Sequence, residues 1–520
     1  NIRFDGPVDL NANVAVTSNG EDVTFGNTID SENGSGPFSL NVSSGAGAVD
    51  VRGAIGNNDA LTTLDINSAA GTGLIDLDNI GGAAAGVTEA TNVGNNVTDS
   101  ITFNGITYNA NEQTYTAAAG DNLFMSAGLS TTFTSSDDAI DFATADIQLD
   151  NGSDLTVNSN GGAITANDID GTSDESVILN ADGGTTNTVS VGAIGLTTAN
   201  GIDDVTLTGA GGVTLNGDIT TTAITTGDVT VNGPATITAD RIINTSAGGG
   251  SIDMDDVTAA DTSVFDLTLN AGAGTATVGQ IGDNATDDNI ANVTITGNGG
   301  VTLNGDVFTG DGDGAGDGGD VNVTGAVTLG ASILIDTADA TDDDGNVDFS
   351  STVTDGAGTF SLDVNAGDGG DVTIGGATTL GRLDVRNADA VSLLPVTTNG
   401  DGANGGIDIG SADETGTITL NGSLDSTGAD SITAGQTAGD ITLNSADIDM
   451  VLEMTIDTDG TVGTDGNITI GTGPNDTFDV TDAGTENRNL TIDAGAGTLI
   501  VHSDVGAFND ADDGLGTVAV

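Results

Sequence analysis

Residues 211–218 read GGVTLNGD, and the same eight residues recur at 299–306. A shortened form, ITLNG, stands at 418–422. Each copy alternates apolar and polar side chains and then ends in Asn-Gly. Strict alternation is typical of a strand with one buried face, and Asn-Gly is typical of a tight turn. The repeats therefore predict short, half-buried β-strands separated by turns.

A longer unit of strand, tight turn and second strand occurs four times. Its copies read LNVSSGAGAVDVRGAIG at 40–56, LTLNAGAGTATVGQIG at 267–282, LDVNAGDGGDVTIGGA at 362–377 and LTIDAGAGTLIVHSDVG at 490–506. The separations between successive copies are unequal, so no single period relates them. Equal propeller blades or sandwiches of constant size would space them regularly, whereas a solenoid tolerates insertions on any turn. The pattern favours an all-β, right-handed parallel β-helix (β-solenoid), with tandem β-sandwich domains as the alternative.

Composition supports a thin core between stacked strands. Aromatic residues make up 3% of the chain, while 82 Gly and only 5 Pro make it rich in turns. Disorder is the alternative for an acidic, Gly-rich chain, but 36% of the residues are hydrophobic and the β-branched ones are regularly spaced. With an assumed turn of about 20 residues, the chain would make roughly 25 turns.

The charge balance excludes some partners. The chain has 78 acidic residues against 6 Arg and no Lys, and only eight of the acids are Glu. A net charge of −72 argues against binding to nucleic acid or to an anionic membrane. Stacked turns would place Asp above Asp within a Debye length, so we expect either bound calcium or a high-salt habitat to offset the repulsion. The sequence does not decide between these two remedies.

The organisation of the chain is predicted to be simple. No linker divides it, so residues 1–520 are predicted to form one continuous solenoid segment of a larger protein, with the secretion signal and anchor elsewhere. Three irregular regions suggest loop insertions, near 81–121, 308–320 and 336–348. Cysteine is absent, and no apolar run approaches the length of a membrane span. We therefore expect no direct membrane insertion.

Calcium is the most credible ligand, because two groups of Asp lie on Gly-rich or polar loops. Hard oxygen ligands on a pliant loop suit Ca²⁺, although neither group fits the EF-hand pattern or a tandem nonapeptide repeat. The alternative is a solvated acidic loop. The predicted ligands are Asp311, Asp313, Asp317, Asp320, Asp342 and Asp344.

Catalytic groups are scarce. His502 is the only histidine, so the chain cannot build a His-based zinc site. In the longer unit, His502 aligns with Arg52. Arg382 and Arg386 are the one close cationic pair; they would either clamp a substrate or, as we favour, compensate local Asp charge. Apart from Tyr108 and Tyr115, the large polar aromatics that stack on sugars are absent. We predict no catalytic residues and no organic cofactor.

The runs ITFNGITYNANEQTYTAAAGDNL at 101–123 and LTLNAGAGTATVGQIG at 267–282 resemble the β-strand repeats of giant bacterial surface proteins. These are the filamentous-haemagglutinin-like exoproteins of two-partner secretion and the autotransporter passengers. The resemblance is one of pattern and covers most of the chain. It implies a right-handed parallel β-helix, export across the outer membrane, and a role in adhesion or in a surface fibre. The amino-terminal secretion domain of that family is not recognisable here.

These observations lead to a functional hypothesis with two alternatives. The chain is predicted to be a non-enzymatic, extracellular structural or adhesive shaft of a bacterial surface protein. Its partners would be other copies of itself or components of the cell surface or matrix. The first alternative is a subunit of a self-assembling surface layer, sheath or filament, and the second is a polysaccharide-active β-helix enzyme. Paired carboxylates could be assembled from almost any two Asp, so their abundance does not favour the enzyme.

Overall fold

In a computed structural model the chain is built from β-strands joined by tight corners. The structure describes residues 1–520 except 33, 35, 127, 143, 196–200, 223–226, 261–264, 284–289, 311–317, 339–343, 357–358, 400–404, 414, 428–436, 461–462, 472–476, 480–487, 503 and 506–514; at 446, 477–479, 504–505 and 515–518 it describes the backbone alone. The described residues form a β-solenoid of about 17 turns made of parallel sheets and contain no helix. Two compact units divide the chain, Asn1–Asp255 and Asp256–Val520.

The first unit contains 29 short strands. In chain order they are β1 (Ile2–Phe4), β2 (Val8–Leu10), β3 (Val14–Thr17), β4 (Val23–Phe25), β5 (Ile29–Ser31), β6 (Leu40–Ser43), β7 (Val49–Val51), β8 (Leu64–Ile66), β9 (Ile75–Leu77), β10 (Thr91–Gly94), β11 (Ile101–Phe103), β12 (Thr107–Asn109), β13 (Gln113–Thr116), β14 (Asn122–Met125), β15 (Thr131–Thr134), β16 (Ile140–Phe142), β17 (Asp146–Leu149), β18 (Leu155–Asn158), β19 (Ile164–Ala166), β20 (Ile169–Asp170), β21 (Glu175–Asn180), β22 (Thr188–Val191), β23 (Ile202–Thr208), β24 (Gly212–Leu215), β25 (Ile219–Thr220), β26 (Val229–Asn232), β27 (Ala235–Ile237), β28 (Arg241–Asn244) and β29 (Ile252–Met254).

The second unit contains the other 29 strands of the described chain. They are β30 (Val257–Ala259), β31 (Phe265–Gly272), β32 (Thr275–Val278), β33 (Ile290–Gly297), β34 (Gly300–Leu303), β35 (Val307–Phe308), β36 (Val321–Thr324), β37 (Val327–Leu329), β38 (Ile333–Asp336), β39 (Val347–Phe349), β40 (Val353–Thr354), β41 (Ser361–Asn365), β42 (Asp371–Ile374), β43 (Thr378–Leu380), β44 (Arg382–Asn387), β45 (Ala390–Leu393), β46 (Val396–Thr398), β47 (Gly406–Ile409), β48 (Thr415–Leu420), β49 (Leu424–Asp425), β50 (Asp440–Leu443), β51 (Ser445–Met450), β52 (Met454–Asp457), β53 (Ile468–Ile470), β54 (Thr477–Asp479), β55 (Arg488–Asp493), β56 (Leu499–Val501), β57 (Asp504–Val505) and β58 (Leu515–Ala519).

Each turn of the first unit contributes strands to three parallel sheets. Sheet 1 runs β1-β4-β7-β9-β11-β14-β17-β20, sheet 2 runs β3-β6-β8-β10-β13-β16-β19-β22-β24-β27, and sheet 3 runs β12-β15-β18-β21-β23-β26-β29. Isolated parallel bridges at Ile29, Ile55 and Ile80 lead from β5 to β12, so sheet 3 begins with the earlier pair β2-β5. Neighbours in a sheet are therefore strands of successive turns, which is the defining topology of a solenoid.

The second unit repeats this arrangement. Within it, sheet 4 runs β31-β33-β36-β39-β42-β45-β48-β51-β54-β57, sheet 5 runs β32-β34-β37-β40-β43-β46-β49-β52-β55-β58, and sheet 6 runs β35-β38-β41-β44-β47-β50-β53-β56. These parallel ladders confirm the predicted β-solenoid and are not the pattern of antiparallel tandem sandwiches.

Most turns are longer than the sequence suggested, and their lengths vary. The spacing between register partners is shortest between Thr378 and Val396 and longest between Met454 and Leu490. Three strands and three corners usually need more residues than the assumed turn contains. The described chain therefore makes about 17 turns, fewer than predicted.

Aliphatic side chains stack in register along the inside of each unit. One such ladder in sheet 1 consists of Val23, Val49, Ile75, Ile101, Leu123, Ile147 and Ile169, all without solvent exposure. Burying one such side chain is worth about 1.5–3 kcal/mol. β-Branched residues suit this role because they pack well against neighbours on a pleated surface.

The region 81–121, predicted as a loop insertion, belongs instead to the regular turns. It contains β10 to β13, which pair in register with strands of the turns before and after. Tyr108 and Tyr115 are fully buried and pack with Phe103, Phe133 and Phe142, with ring centroids 4.7–5.5 Å apart. The two tyrosines of this region thus belong to an internal packing cluster. Of the other two predicted insertions, 308–320 and 336–348, the residues 311–317 and 339–343 lie outside the described chain.

The repeated octet adopts the same local structure at both positions. Gly212 and Gly300 open their strands with positive φ angles of 127° and 134°, a backbone region that L side chains rarely adopt. Asn216 and Asn304 donate their backbone N–H to the strand of the preceding turn, at 2.8 and 2.9 Å. The octets nevertheless lie in different sheets, since β24 belongs to sheet 2 and β34 to sheet 5. Identical sequence thus serves more than one face of the solenoid.

Candidate functional site

The predicted calcium ligands lie only partly within the described chain. Asp311, Asp313, Asp317 and Asp342 lie outside the described residues. Asp320 Oδ1 accepts hydrogen bonds from the backbone N–H and the Nδ2 of Asn346, at 2.8 and 3.1 Å. Asp344 Oδ2 accepts from the backbone N–H of Gly369 at 2.9 Å. Among the described residues, no three or more His, Cys, Asp or Glu side chains group as metal ligands would. Calcium binding therefore stays a prediction.

Asp320 is part of an acidic column that crosses five turns of sheet 4, here named the aspartate–asparagine column. Its members each stand immediately before an inward-facing residue, and they are Asp266, Asn292, Asp320, Asn346 and Asp371. The side-chain Oδ1 of each of the first four accepts the backbone N–H of the next member, at 2.8–3.2 Å. Where the next member of the column is Asn, the carboxylate also accepts a hydrogen bond from the side-chain Nδ2 of that Asn.

This alternation reduces the repulsion expected of stacked Asp. A neutral amide stands between successive carboxylates, so the charges are two strand spacings apart, about 9.6 Å, which is close to a Debye length at physiological salt. The N–H donors further stabilise the ionised carboxylates. Asp440 and Asn467 form the same contact in sheet 6, with N–H to Oδ1 at 2.7 Å. Sequence reasoning expected the Asp ladders but missed their Asn partners, because the register was unknown.

Sheet 6 also carries a cluster of three stacked carboxylates with two guanidinium groups, here named the arginine–aspartate cluster. Asp363, Asp384 and Asp408 are register partners in three successive turns. Arg382 Nη2 lies 2.8 Å from Asp384 Oδ2 and 3.8 Å from Asp408 Oδ2. Arg386 Nη2 donates to Asp363 Oδ2 at 2.9 Å. The two arginines therefore compensate local Asp charge, as the sequence predicted.

The carboxyl groups of this cluster are partly or almost fully buried, and burial affects their pKa. Asp384 is only 5% exposed, and Ser411 Oγ donates to its Oδ1 at 2.7 Å. Burial raises the pKa of Asp408, and the Asp384 carboxylate raises it further, while Arg382 opposes both effects. Asp336, one turn before Asp363, also has a raised pKa because it is buried. The carboxylates carry like charges and are partly buried, which explains why the cluster needs its arginines.

An acidic groove lies on sheet 1. It is lined by Asp50, Arg52, Asp76, Asp78 and Asn104 together with Val51. Arg52 Nε donates to Asp50 Oδ2 at 2.7 Å. Burial raises the pKa of Asp76, and a hydrogen bond from Thr102 opposes that shift. The groove is thus an acidic surface with one paired cation.

The other isolated basic residues have structural positions. His502 and Arg52 each follow directly on a strand, β56 and β7, and both are exposed, in agreement with their alignment in the longer unit. Arg241 donates to the backbone carbonyl oxygens of Leu215 and Asn216 in the previous turn, at 3.0 and 2.5 Å. Arg241 is thus a surface group that joins neighbouring turns.

Glu175 is a buried acid that sequence reasoning missed. Its carboxylate is fully buried at the start of β21 and accepts backbone N–H groups of Gly152, Thr172 and Ser173, at 2.7–2.9 Å. A carboxylate held by several N–H donors substitutes for main-chain pairing at a corner. Glu is rare in this chain, and that rarity was the one available signal.

The two tyrosines do not form a sugar-binding platform. Both rings are fully buried, and burial raises the pKa of both phenols. Tyr108 Oη donates to the Leu77 carbonyl oxygen at 3.0 Å, and Tyr115 Oη donates to Gln113 Oε1 at 2.9 Å. Their polar atoms satisfy internal partners, so neither ring is available to stack on an external ligand.

Comparisons with known proteins identify no relative. No family model matches the chain, no curated protein matches it, and no solved structure matches it. In the part of the chain that the structure describes, no helix has the length and apolar character needed to cross a membrane.

Proposed function

We propose that this chain is a non-enzymatic structural shaft of an extracellular bacterial surface protein or fibre. Its role would be to provide length and stiffness and to present adhesive parts to the cell surface or matrix. The observation that carries the proposal is the in-register parallel pairing of successive turns, with an aliphatic ladder inside and hydrogen-bonded polar columns outside. Such a stack is stabilised turn by turn, and its length follows from the number of turns.

The surface chemistry supports this proposal. Carboxylates hold neighbouring turns together in the arginine–aspartate cluster and in the aspartate–asparagine column. Asp384 is almost entirely buried, and Asp320 accepts main-chain N–H from the next turn. A strongly acidic surface also keeps long particles soluble and apart. Calcium bound to the Asp-rich loops would neutralise part of this charge, and it remains a proposal.

The first experiment tests whether the solenoid can be shortened by one whole turn, as a spacer allows. A spacer depends on complete turns, so deletion of residues 40–63, which joins Ser39 to Leu64, should leave a folded protein. Val14, Leu40 and Leu64 are successive partners in sheet 2, so the ladders on either side meet again in register. Deletion of 40–51 removes part of a turn and is the matched control, which should not fold cooperatively. Circular dichroism and thermal melts compare the two.

The enzymatic alternative is tested on the same preparation. Acidic and neutral polysaccharides are incubated with the full chain and with an Asp384→Asn/Asp408→Asn variant, and release of reducing ends is measured. Cleavage by the full chain that the variant has lost would overturn the proposal. Labelling of intact source cells with antibodies against the chain tests the extracellular location, and a signal only after cell rupture would contradict it.

A further inference from the structure

Asn-Gly dipeptides recur at the corners of the solenoid, and in several of them the glycine N–H is engaged in a hydrogen bond. Gly20 donates to the Ser44 carbonyl oxygen at 2.9 Å, and Gly152 donates to Glu175 Oε1, also at 2.9 Å. The dipeptides held in this way begin at Asn19, Asn104, Asn151, Asn232 and Asn298. This bond matters because the glycine nitrogen is the group that can react with the preceding asparagine side chain.

The repeated octet places the same dipeptide in the same local structure twice, at Asn216 and at Asn304. Neither Gly217 nor Gly305 donates its N–H to a hydrogen bond with the described residues. Both asparagine side chains are exposed, so water reaches them. Because the sequence of the two octets is identical, we expect any difference in their reactivity to come from contacts with neighbouring turns.

Those contacts differ between the two octets. Asn216 Nδ2 donates to Ser190 Oγ in the preceding turn at 3.0 Å, and Thr238 Oγ1 in the following turn donates to Asn216 Oδ1 at 3.3 Å. In contrast, the Asn304 side chain forms no hydrogen bond with any residue that the structure describes. Gly330 stands where Thr238 stands relative to the other octet, and it has no hydroxyl to donate. The Asn304 side chain lies directly over it, in space that a Cβ at Gly330 would occupy.

Asparagine before glycine can lose its side-chain amide in water. The glycine nitrogen attacks the asparagine Cγ, its proton goes to the departing amide nitrogen, which leaves as ammonia, and a cyclic imide forms. Water then opens the ring to aspartate or isoaspartate. The reaction needs a free glycine N–H and an asparagine side chain that can turn toward it. Only the second condition differs between the two octets.

We propose that Asn304 is a site of spontaneous deamidation in the folded chain and that Asn216, in the identical octet, is protected. To reach the Gly217 nitrogen, the Asn216 side chain must give up two hydrogen bonds, whereas the Asn304 side chain gives up none within the described chain. Two such bonds correspond to a rate difference of about 10-fold or more. The product adds one negative charge beside Asp306, and isoaspartate also adds a main-chain carbon just before β35.

Incubation of the full chain in mildly alkaline buffer tests the proposal, with tandem mass spectrometry locating the conversion in each octet. In the folded chain, conversion at Asn304 should be about 10-fold or more faster than at Asn216. In urea the two rates should converge, because the octets have the same sequence. Equal rates in the folded chain, or the same ratio of rates in urea, would overturn the proposal.

A variant that lacks the protecting contacts gives an independent test. Ser190→Ala/Thr238→Val removes both hydroxyl groups that hold Asn216 and changes the size of the side chains little. When circular dichroism shows that the variant is folded, its Asn216 should convert at about the rate of Asn304, which is the internal control in the same chain. A rate at Asn216 that stays slow would contradict the protection. The comparison in the unsubstituted chain holds whether or not this variant folds.

Discussion

Arg382 shows how single residues make so acidic a surface compatible with stacking. Its guanidinium reaches carboxylates of its own turn and of both neighbouring turns, Asp384, Asp363 and Asp408. Elsewhere the same purpose is served without a cation, by Asn between Asp residues or by main-chain N–H groups. The general rule is that a buried carboxylate is tolerated where donors surround it.

Replacing Arg382 with Gln should destabilise the second unit by about 2 kcal/mol, because the nearly buried Asp384 would lose its cation. Hydrogen exchange of the strands around 361–409 measures the loss. Arg3→Gln is the matched control: Arg3 pairs with Asp5 on an exposed surface, and such pairs contribute about 0–1 kcal/mol. Equal effects of the two substitutions would contradict the assigned role of Arg382.

The pH dependence of stability follows from carboxyl groups whose pKa is raised by burial. These groups are Asp76, Asp146, Asp203, Asp336 and Asp408. A raised pKa means that the folded state binds the proton more tightly than the unfolded state. The resulting stabilisation is complete below the unfolded pKa and is lost as pH rises through the folded pKa. Mild acidification from about pH 7 to about pH 4 should therefore raise the melting temperature.

Asp408→Asn isolates one contribution to this effect. The neutral amide should stabilise the protein at neutral pH by about 0.5 kcal/mol, a small value because a third of the Asp408 side chain, 33%, is exposed. It should also flatten the rise in stability on acidification. Asp348→Asn, on an exposed position of β39, is the control and should change neither quantity. A variant that is less stable at neutral pH would refute the assignment.

Part of this residue-level detail was accessible from the sequence. Charge compensation by Arg382 and Arg386 was predicted from their rarity and spacing. The position of Asp384 above Asp363 was not, because register between turns of unequal length cannot be read from one sequence. The five-turn aspartate–asparagine column escaped prediction for the same reason, since each of its members lies a full turn from the next.

At the scale of elements, the longer repeated unit of strand, tight turn and second strand is not restricted to one sheet. Of its three copies in the second unit, one begins in β31 of sheet 4, one in β41 of sheet 6 and one in β55 of sheet 5. The separations of these copies are unequal because the copies stand at different corners as well as on different turns. Loop insertions alone were the explanation that the sequence suggested, and it was incomplete.

Buried hydroxyl groups close many of these corners. Thr245 Oγ1 donates to the Gly250 carbonyl oxygen at 2.6 Å, and Thr337 Oγ1 donates to that of Gly345, also at 2.6 Å. Ser426 makes the same contact with Gly439 across a longer loop. One hydrogen bond thus joins the ends of loops of different length, so strands can keep their register while the loops vary. Loop-closure entropy grows only slowly with length, which makes this tolerable.

Two buried threonines give a matched test of this closure. Thr245→Val should destabilise the surrounding turns by about 1–2 kcal/mol, because the Gly250 carbonyl oxygen loses its donor. Thr398 is equally buried, but its Oγ1 has no hydrogen-bond partner among the described residues. Thr398→Val should therefore be neutral or stabilising. Hydrogen exchange of the flanking strands measures both variants, and a stabilising Thr245→Val would contradict the closing role of the hydroxyl.

For the molecule as a whole, the sequence was sufficient to predict the solenoid. Alternation with period two, Gly and Asn at corners, and a composition poor in aromatic residues all indicate stacked short strands, and the parallel ladders confirm the β-solenoid. The number of turns was wrong because most turns contain more residues than the assumed turn. The region 81–121 was also misread as an insertion, since its strands β10 to β13 belong to the regular turns.

The net charge of −72 should make stability depend on salt, and this dependence allows the calcium prediction to be tested. Monovalent salt should raise the melting temperature by screening repulsion between carboxylates. A specific calcium site would add stabilisation that grows with the logarithm of free calcium, beyond that of NaCl at equal ionic strength. Magnesium should reproduce less of it, because it demands stricter octahedral geometry.

Variants in the predicted loop separate site binding from screening. Asp311→Asn/Asp313→Asn/Asp317→Asn should remove the part of the stabilisation that is specific to calcium and leave the response to NaCl intact. Asp348→Asn, a single exposed change on a strand, should leave both responses unchanged. If melting temperatures in calcium, magnesium and NaCl coincide at equal ionic strength, the calcium prediction is wrong. Screening of the charges by salt, the aspartate–asparagine column and the arginine–aspartate cluster would then be sufficient to hold the acidic turns together.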